Sequence, residues 1–299
     1  MGARAVADRA LITGATGFVG GRLAKRLAGE GWEVHGIVRR PPGDPAVRAL
    51  AAIGSAHYHD GSMESLQRLV ALSRPTVVFH LAARFVADHR PGDVEPLIHD
   101  NILFGTQLLE AMTAAGARRI VNAGSAWQHY RNAEYSPVGL YAATKKAFAD
   151  LLEYYVEARN VRAVTLELSD TYGPDDVRRK LIPMMLEAER TRKGLSMVSG
   201  ELPLNFVHVD DAVSAFMVAA KRLVSNQVAG HELFAVRSKE AVVVKELFAI
   251  WEQSRGTQLG ARWGERPYRP REVLEHWTQG APLPGWEARV SLAEGLGGL

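Results

Sequence analysis

With 299 residues, 47% of them hydrophobic and 23% charged, the chain is long and apolar enough for one large globular unit or two coupled domains, and it lies outside the composition of disordered proteins. A formal charge of +3 and a pI near 9.1 come without a lysine-rich tract or a basic helix, which argues against nucleic acid as a partner. The chain has no cysteine, which excludes disulfides, thiol-held metals and thiol nucleophiles; it has no run of 18 apolar residues and no apolar leader in MGARAVADRA, so a cytoplasmic location without membrane contact is expected.

From the N-terminus, strand-length apolar runs alternate with helix-length amphipathic stretches. The first strand, Ala10 to Thr13, breaks at LITGATGFVG into Gly14, Gly17 and Gly20, and a helix follows near Phe18 to Ala28. Missing side chains there permit a tight turn, close approach of a diphosphate and close helix packing, while the helix N-terminus aims free N–H groups at the anion. Thr16, Gly17, Phe18 and Val19 stand on that turn. The spacing is not GxGxxG, so the signal lies in its position after the first strand.

The second strand, Glu33 to Val38, ends in Arg39 and Arg40 instead of the acid that accepts the ribose 2′-hydroxyl of NAD. Two guanidiniums suit a 2′-phosphate, so NADP(H) is favoured over NAD(H). The third strand, Ala56 to His59, leads into Asp60 and Gly61; Asp60 is placed either for the adenine amino group or for the start of the helix Ser62 to Leu72. His57 and His59 share a strand face with no third ligand, so no metal is expected.

The fourth strand, Thr76 to Leu81, precedes a helix over Leu97 to Ala115, and the fifth, Arg119 to Ala123, leads to Ser125 at the edge where open α/β sheets bind ligands. The next helix, Leu140 to Ala158, opens with YAATK, which puts Tyr141 and Lys145 on one face, one turn apart. An ammonium near a phenol lowers the tyrosine pKa, as proton transfer near neutral pH requires. After the sixth strand, Arg162 to Leu168, short strands (Ser196 to Ser199, Asn205 to Val209, His231 to Val236) mix with helices (Leu181 to Arg192, Asp211 to Lys221, Lys245 to Gln253). The expectation is an α/β fold: a Rossmann-like doubly wound parallel sheet in residues 1–170, with some later segments returning to it, and a smaller mixed α/β substrate lobe in 171–299.

TGATGFVG, the HLAA of His80 to Ala83, Asn101 in DNILFGT, Ser125, YAATK, TYGP at 171–174 and NFVHVDD at 205–211 occur in the order seen in extended short-chain dehydrogenases/reductases. The resemblance covers nearly the whole chain. It implies Tyr141 as acid/base, Lys145 holding the nicotinamide ribose and tuning the tyrosine, and Ser125 orienting the reacting oxygen. It implies the glycines on the diphosphate, with Leu81, Ala82, Ala83 and Asn101 beside the cofactor. For a nucleotide-activated sugar it offers Arg84, Phe85, Ser125, Gln128, His129, Arg179, Lys180, Asn205, Arg266 and Arg269.

Within that family the 4,6-dehydratases carry an Asp-Glu pair after the hydroxyl residue; Ala126 and Trp127 stand there, so dehydration is not expected. Glu167 occupies the place, five residues before Tyr172, where the family often has arginine. NAGSAWQHY, LYAATKKAF and DTYGPDDVRRK are similar to the branch that includes CDP-abequose and CDP-tyvelose synthesis and other 4-ketoreductions of deoxysugar nucleotides. With Arg39 and Arg40, this favours NADPH-dependent reduction of a TDP- or CDP-4-keto-6-deoxyhexose. The alternatives are an NAD(P)-dependent nucleotide-sugar epimerase and a non-catalytic NAD(P)-binding regulator. The helices Asn101 to Ala115 and Leu140 to Ala158 resemble those of a four-helix dimer interface, which Leu108, Met112, Phe148, Leu152 and Tyr155 are expected to support in a homodimer.

Overall fold

In the computed structural model, which describes residues 7–299, the apolar runs become strands of one parallel sheet. In chain order the elements are β1 (Arg9–Thr13), α1 (Phe18–Gly29), β2 (Glu33–Val38), α2 (Pro45–Ala51), β3 (Ser55–Tyr58), α3 (Met63–Ser73) and β4 (Val77–His80). There follow α4 (Val94–Ile98), α5 (Phe104–Ala114), β5 (Arg119–Ser125), α6 (Leu140–Arg159), β6 (Arg162–Leu168), β7 (Asp170–Tyr172) and α7 (Leu181–Thr191). The chain ends with β8 (Pro203–Leu204), β9 (Phe206–His208), α8 (Val209–Val224), β10 (His231–Val236), β11 (Val242–Val243), α9 (Val244–Arg255) and α10 (Leu292–Gly297).

The seven-stranded sheet has the order β10-β6-β5-β4-β1-β2-β3, with every pair parallel. Helices cover both faces, so its strands are apolar without alternation; all four residues of β4 are buried. The strand order reverses between β1 and β4, which opens a crevice beyond their C-terminal ends. The register pairs Thr13 with His80, and this brings the turn at Gly14 against Leu81 and Ala82.

On one face α1 packs through Leu23, Ala24 and Leu27, together with Phe216, Ala219 and Leu223 of α8. On the other, α3, α5 and α6 contribute Leu66, Leu108, Met112, Phe148, Leu152 and Tyr155. The residues expected at a dimer interface thus lie in the core of a single chain, and Tyr155 donates to Glu110 at 2.7 Å. An apolar helical stripe does not reveal whether its own sheet or a second chain covers it; here the sheet does.

A separate cluster of Tyr172, Ile182, Met185, Leu247, Phe248, Trp251 and Leu296 forms the smaller lobe. The expected strand His231 to Val236 does not belong there: it is β10, the edge of the main sheet beside β6. Ser196 to Ser199 forms no strand, only a bridge from Ser196 to Arg262. The helix expected over Leu97 to Ala115 is interrupted by a π-helical turn, His99–Leu103, between α4 and α5. Such wide turns recur at functional sites, and this one carries buried Asp100 and Asn101. Among the described residues no helix is long and apolar enough to cross a membrane.

Candidate active site

The turn after β1 is shaped by close approach. Gly14 has φ +74, and a Cβ there would stand 2.8 Å from the Ala82 nitrogen. A Cβ on Gly20 would stand 2.1 Å from the Gly14 oxygen, so α1 packs on the turn only because both are glycine. Gly17, the N-cap of α1, makes no side-chain cap, which leaves the first N–H groups of the helix to an anion. A cavity of about 550 Å³ opens at this turn, lined by Thr13, Gly14, Thr16, Gly17, Ile37 to Arg40, Leu81 to Arg84, Asp100 and Phe104. The cradle and the cavity fit the diphosphate and adenosine of a nicotinamide dinucleotide.

Within it Arg39 donates to Asp100 at 2.9 Å, while Arg40 donates to Asp44, outside the lining, at 3.0 Å. Arg84, expected on the substrate, donates instead to Asp100 at 2.9 Å and lines this cavity. Asp60 accepts from the Ser62 nitrogen at 2.8 Å and its hydroxyl at 2.7 Å, so it serves the start of α3, whose N-cap is Ser62. It and Gly61 lie outside the cavity lining. Phe18 lies under the Arg178 guanidinium at 4.3 Å, and Val19 packs into the core. Asn101, 1% exposed, accepts from the Arg84 nitrogen at 2.7 Å and donates to Thr144 at 2.9 Å. Thr144 in turn donates to the Tyr141 carbonyl at 2.7 Å. Asn101 thereby braces the first turn of α6.

That turn presents Tyr141 beside Ser125, the last residue of β5. Burial pushes the Tyr141 phenol up to about 12, the Ser125 hydrogen bond offsets part of this, Asp170 adds to it and Arg178 opposes it. Lys145, one turn along, is 2% exposed and burial lowers its ammonium to about 8. The expected depression of Tyr141 by Lys145 is therefore not what the site shows: burial dominates both groups. Behind them His80, fully buried, is held neutral with its pKa lowered to about 3 by burial and by Lys145.

Aromatic walls flank the phenol. The Phe85 ring meets Tyr141 edge-on at 5.0 Å and Trp127 at 5.4 Å. Lys180 sits 5.2 Å from the Phe85 ring and donates to Asp170 at 2.7 Å. Arg269 lies 5.3 Å from the Trp127 ring and pairs with Glu272. Trp127, Asp170, Arg269, Glu272 and Trp277 share a cavity of about 110 Å³. Sequence reasoning missed Asp170 and the tryptophans; the place of Asp170 just past β6, at the ligand edge of the sheet, was the available signal.

Other expected sugar contacts have partners within the chain, and of these His129 and Asn205 line the same cavity as Trp127 and Arg269. Gln128 is 2% exposed and donates to the Ser125 carbonyl at 3.0 Å and to Glu167 at 2.9 Å. His129 gives Nδ1 to the Glu134 carbonyl at 2.7 Å and Nε2 to Glu167 at 3.2 Å, and it stacks on Trp277 at 3.8 Å. Burial opposes a charge on this ring, but the Glu167 bond and the carbonyls outweigh it and raise its pKa. Asn205 spends its amide on Ser238 and Glu240. Arg179 lines a separate groove with Met184 and Leu186, and Arg266 is exposed.

The profile described as the NAD dependent epimerase/dehydratase family matches residues 10–231. The chain is similar to the CDP-abequose synthase of Salmonella muenchen, 26% identical over 295 residues that cover 97% of this chain and 96% of that one. It is also similar to the UDP-glucose 4-epimerase of Mycolicibacterium smegmatis, 27% identical over 314 residues covering 96% of each. The solved UDP-glucose 4-epimerase of Thermotoga maritima, with UDP-glucose, shares the fold at a TM-score of 0.83, 22% identity and 96% coverage of each chain. The glycine cradle, the strand reversal and the Ser125, Tyr141 and Lys145 grouping thus sit inside a match over most of the chain, which belongs to the NAD-dependent epimerase/dehydratase family.

Proposed function

We propose that the protein reduces the 4-keto group of a TDP- or CDP-activated 4-keto-6-deoxyhexose with NADPH. The observation that carries this reading is the place of Arg39 and Arg40 at the end of β2, lining the cavity at the diphosphate turn. The Tyr141 phenol, whose pKa burial raises, is protonated at neutral pH, as a proton donor to a carbonyl must be. When bound, the dinucleotide supplies the hydride. Tyr141 gives its proton to the C4 oxygen, and Ser125 donates a second hydrogen bond to the alkoxide as charge develops. Lys145 stands one turn from Tyr141 to hold the nicotinamide ribose. Phe85 and Trp127 wall the sugar and exclude water, and Arg269 and Lys180 suit the diphosphate.

Arg39 and Arg40 at the end of β2 support NADPH, and the CDP-abequose synthase similarity supports a deoxysugar nucleotide. The second reading, an epimerase that retains NAD, is favoured by the equally similar UDP-glucose 4-epimerase. Retention of Ser125, Tyr141 and Lys145 in one cluster argues against a non-catalytic regulator. A cytoplasmic homodimer completes the proposal; exposed Val94, Ile98, Leu103 and Tyr154 on α4, the π turn and α6 replace the buried stripe as its surface, and light scattering would reject it at the mass of one chain.

The test is titration with NADPH and NADH, then incubation of the NADPH form with TDP- and CDP-4-keto-6-deoxyglucose. Consumption of NADPH with either sugar is expected. Tightly retained NAD, with a changed sugar and no net oxidation, would establish the epimerase instead.

A further inference from the structure

We propose that Asp100 sets the coenzyme preference of this chain by competing with a 2′-phosphate for Arg39. The inference rests on reading Arg39 as the residue at the adenosine ribose, and not on NADPH being the preferred coenzyme.

Arg39 follows β2, where the ribose is read, and its side chain is 60% exposed, yet it is not free: it donates to Asp100 Oδ1 at 2.9 Å. The second oxygen of Asp100 accepts from Arg84 Nε at 2.9 Å, and His99 Nδ1 stands 3.1 Å from the first. The carboxylate is 8% exposed and lines the same cavity as the diphosphate turn. Burial works against its charge, but hydrogen bonds from Arg39 and His99 outweigh this and keep its pKa below the usual carboxylate range.

Arg40 differs. Its partner Asp44 lies i+4 on the surface, where it also accepts from Ala46 to cap α2, outside the cavity lining. Asp100 is thus the carboxylate that faces the nucleotide. A neutral 2′-hydroxyl can donate to it. A 2′-phosphate must approach a fixed negative charge and draw Arg39 away from it, and like charges at close range in a partly dry site repel. Asp100 favours the hydroxyl and opposes the phosphate, against the pull of the arginines.

Fluorescence titration of the full chain with NADPH and NADH tests this. Asp100→Asn keeps the shape and an oxygen that accepts from Arg39 but removes the charge. It is expected to tighten NADPH binding about tenfold, equivalent to about 1.4 kcal/mol, and to change NADH binding less than about threefold. Arg39→Gln, at an exposed position, is expected to weaken NADPH alone, and the double variant to lose most of the Asp100→Asn gain. Should the Asn variant not fold, Asp100→Ser supplies the neutral side chain. An unchanged or lowered preference for NADPH in the folded neutral variant overturns the inference, as does an undiminished gain without Arg39. Stronger binding of NADH by the unaltered protein would overturn the NADPH reading and leave this one standing, because it is read from the change in the ratio.

Discussion

Replacing Lys145 with methionine should stabilise the chain near neutral pH while abolishing turnover. Lys145 is 2% exposed, burial is the sole cause acting on its ammonium, and among the described residues no carboxylate forms an ion pair with it. The fall in its pKa from 10.5 to about 8 corresponds to about 3 kcal/mol, at roughly 1.4 kcal/mol for each tenfold change in proton affinity. The native state therefore binds fewer protons than the unfolded chain between about pH 8 and 10.5, and stability rises with pH across that window. Below it the full cost of the buried charge is present. Methionine fills a similar volume without the charge. Allowing for relaxation around the ammonium, a gain of about 1–3 kcal/mol is expected near pH 7, shrinking toward zero above about pH 10. Urea denaturation of both proteins at the two pH values measures it, with the m value as a control for the unfolded state. A Lys145→Met protein no more stable than the original near pH 7, or equally more stable at both pH values, would refute the reasoning.

Tyr141→Phe should lower kcat by about 10² to 10⁴, the range for loss of a positioned proton donor, while NADPH binding by fluorescence stays within about threefold; full turnover would remove Tyr141 from the mechanism. Gly20→Ala places a Cβ against backbone at 2.1 Å, where no flexible side chain can yield. Loss of dinucleotide binding and destabilisation by more than about 2 kcal/mol are expected, and unaltered melting and binding would contradict the packing account. His129→Gln should cost about 3 kcal/mol by leaving Glu167 buried without its cation. Because the His129 pKa is raised from 6.5, that stabilisation is complete below about 6.5 and fades as pH rises through the folded value. A melting difference independent of pH would count against the ion pair.

The sheet was legible because strands buried on both faces cannot hide their composition: β1, β2, β4, β5 and β6 were all anticipated within a residue or two. Ser125, Tyr141 and Lys145 were legible for a related reason, since they sit at element ends with spacings that decide which way they face. What was not legible depends on pairing across the chain. Nothing local in His231–Val236 says that it joins β6 and not the smaller lobe. Arg39 finds Asp100 across 61 positions, and no helical pattern announces a π turn. Gln128 and His129 read as loop residues free to touch a sugar, because the register that sets Gly124 beside Glu167 is not visible in either segment.

Glu167 shows what such a pairing does for the site. A buried carboxylate at the C-terminal end of β6, at the place where the family often has arginine, needs a cation and hydrogen-bond donors around it. Gln128 and His129, from the loop just after Ser125, supply them. Both donors are thereby fixed, and the ring of His129 becomes the platform on which Trp277 stacks. The same loop holds the C-terminal segment at three more points: Arg269 over Trp127, Arg271 over Tyr130 at 4.3 Å, and Thr278 on Asn132 at 2.9 Å. The segment that brings Arg269 to the cleft is thus fastened to the strand that carries Ser125, and Glu167 on β6 anchors the loop through which the two are joined.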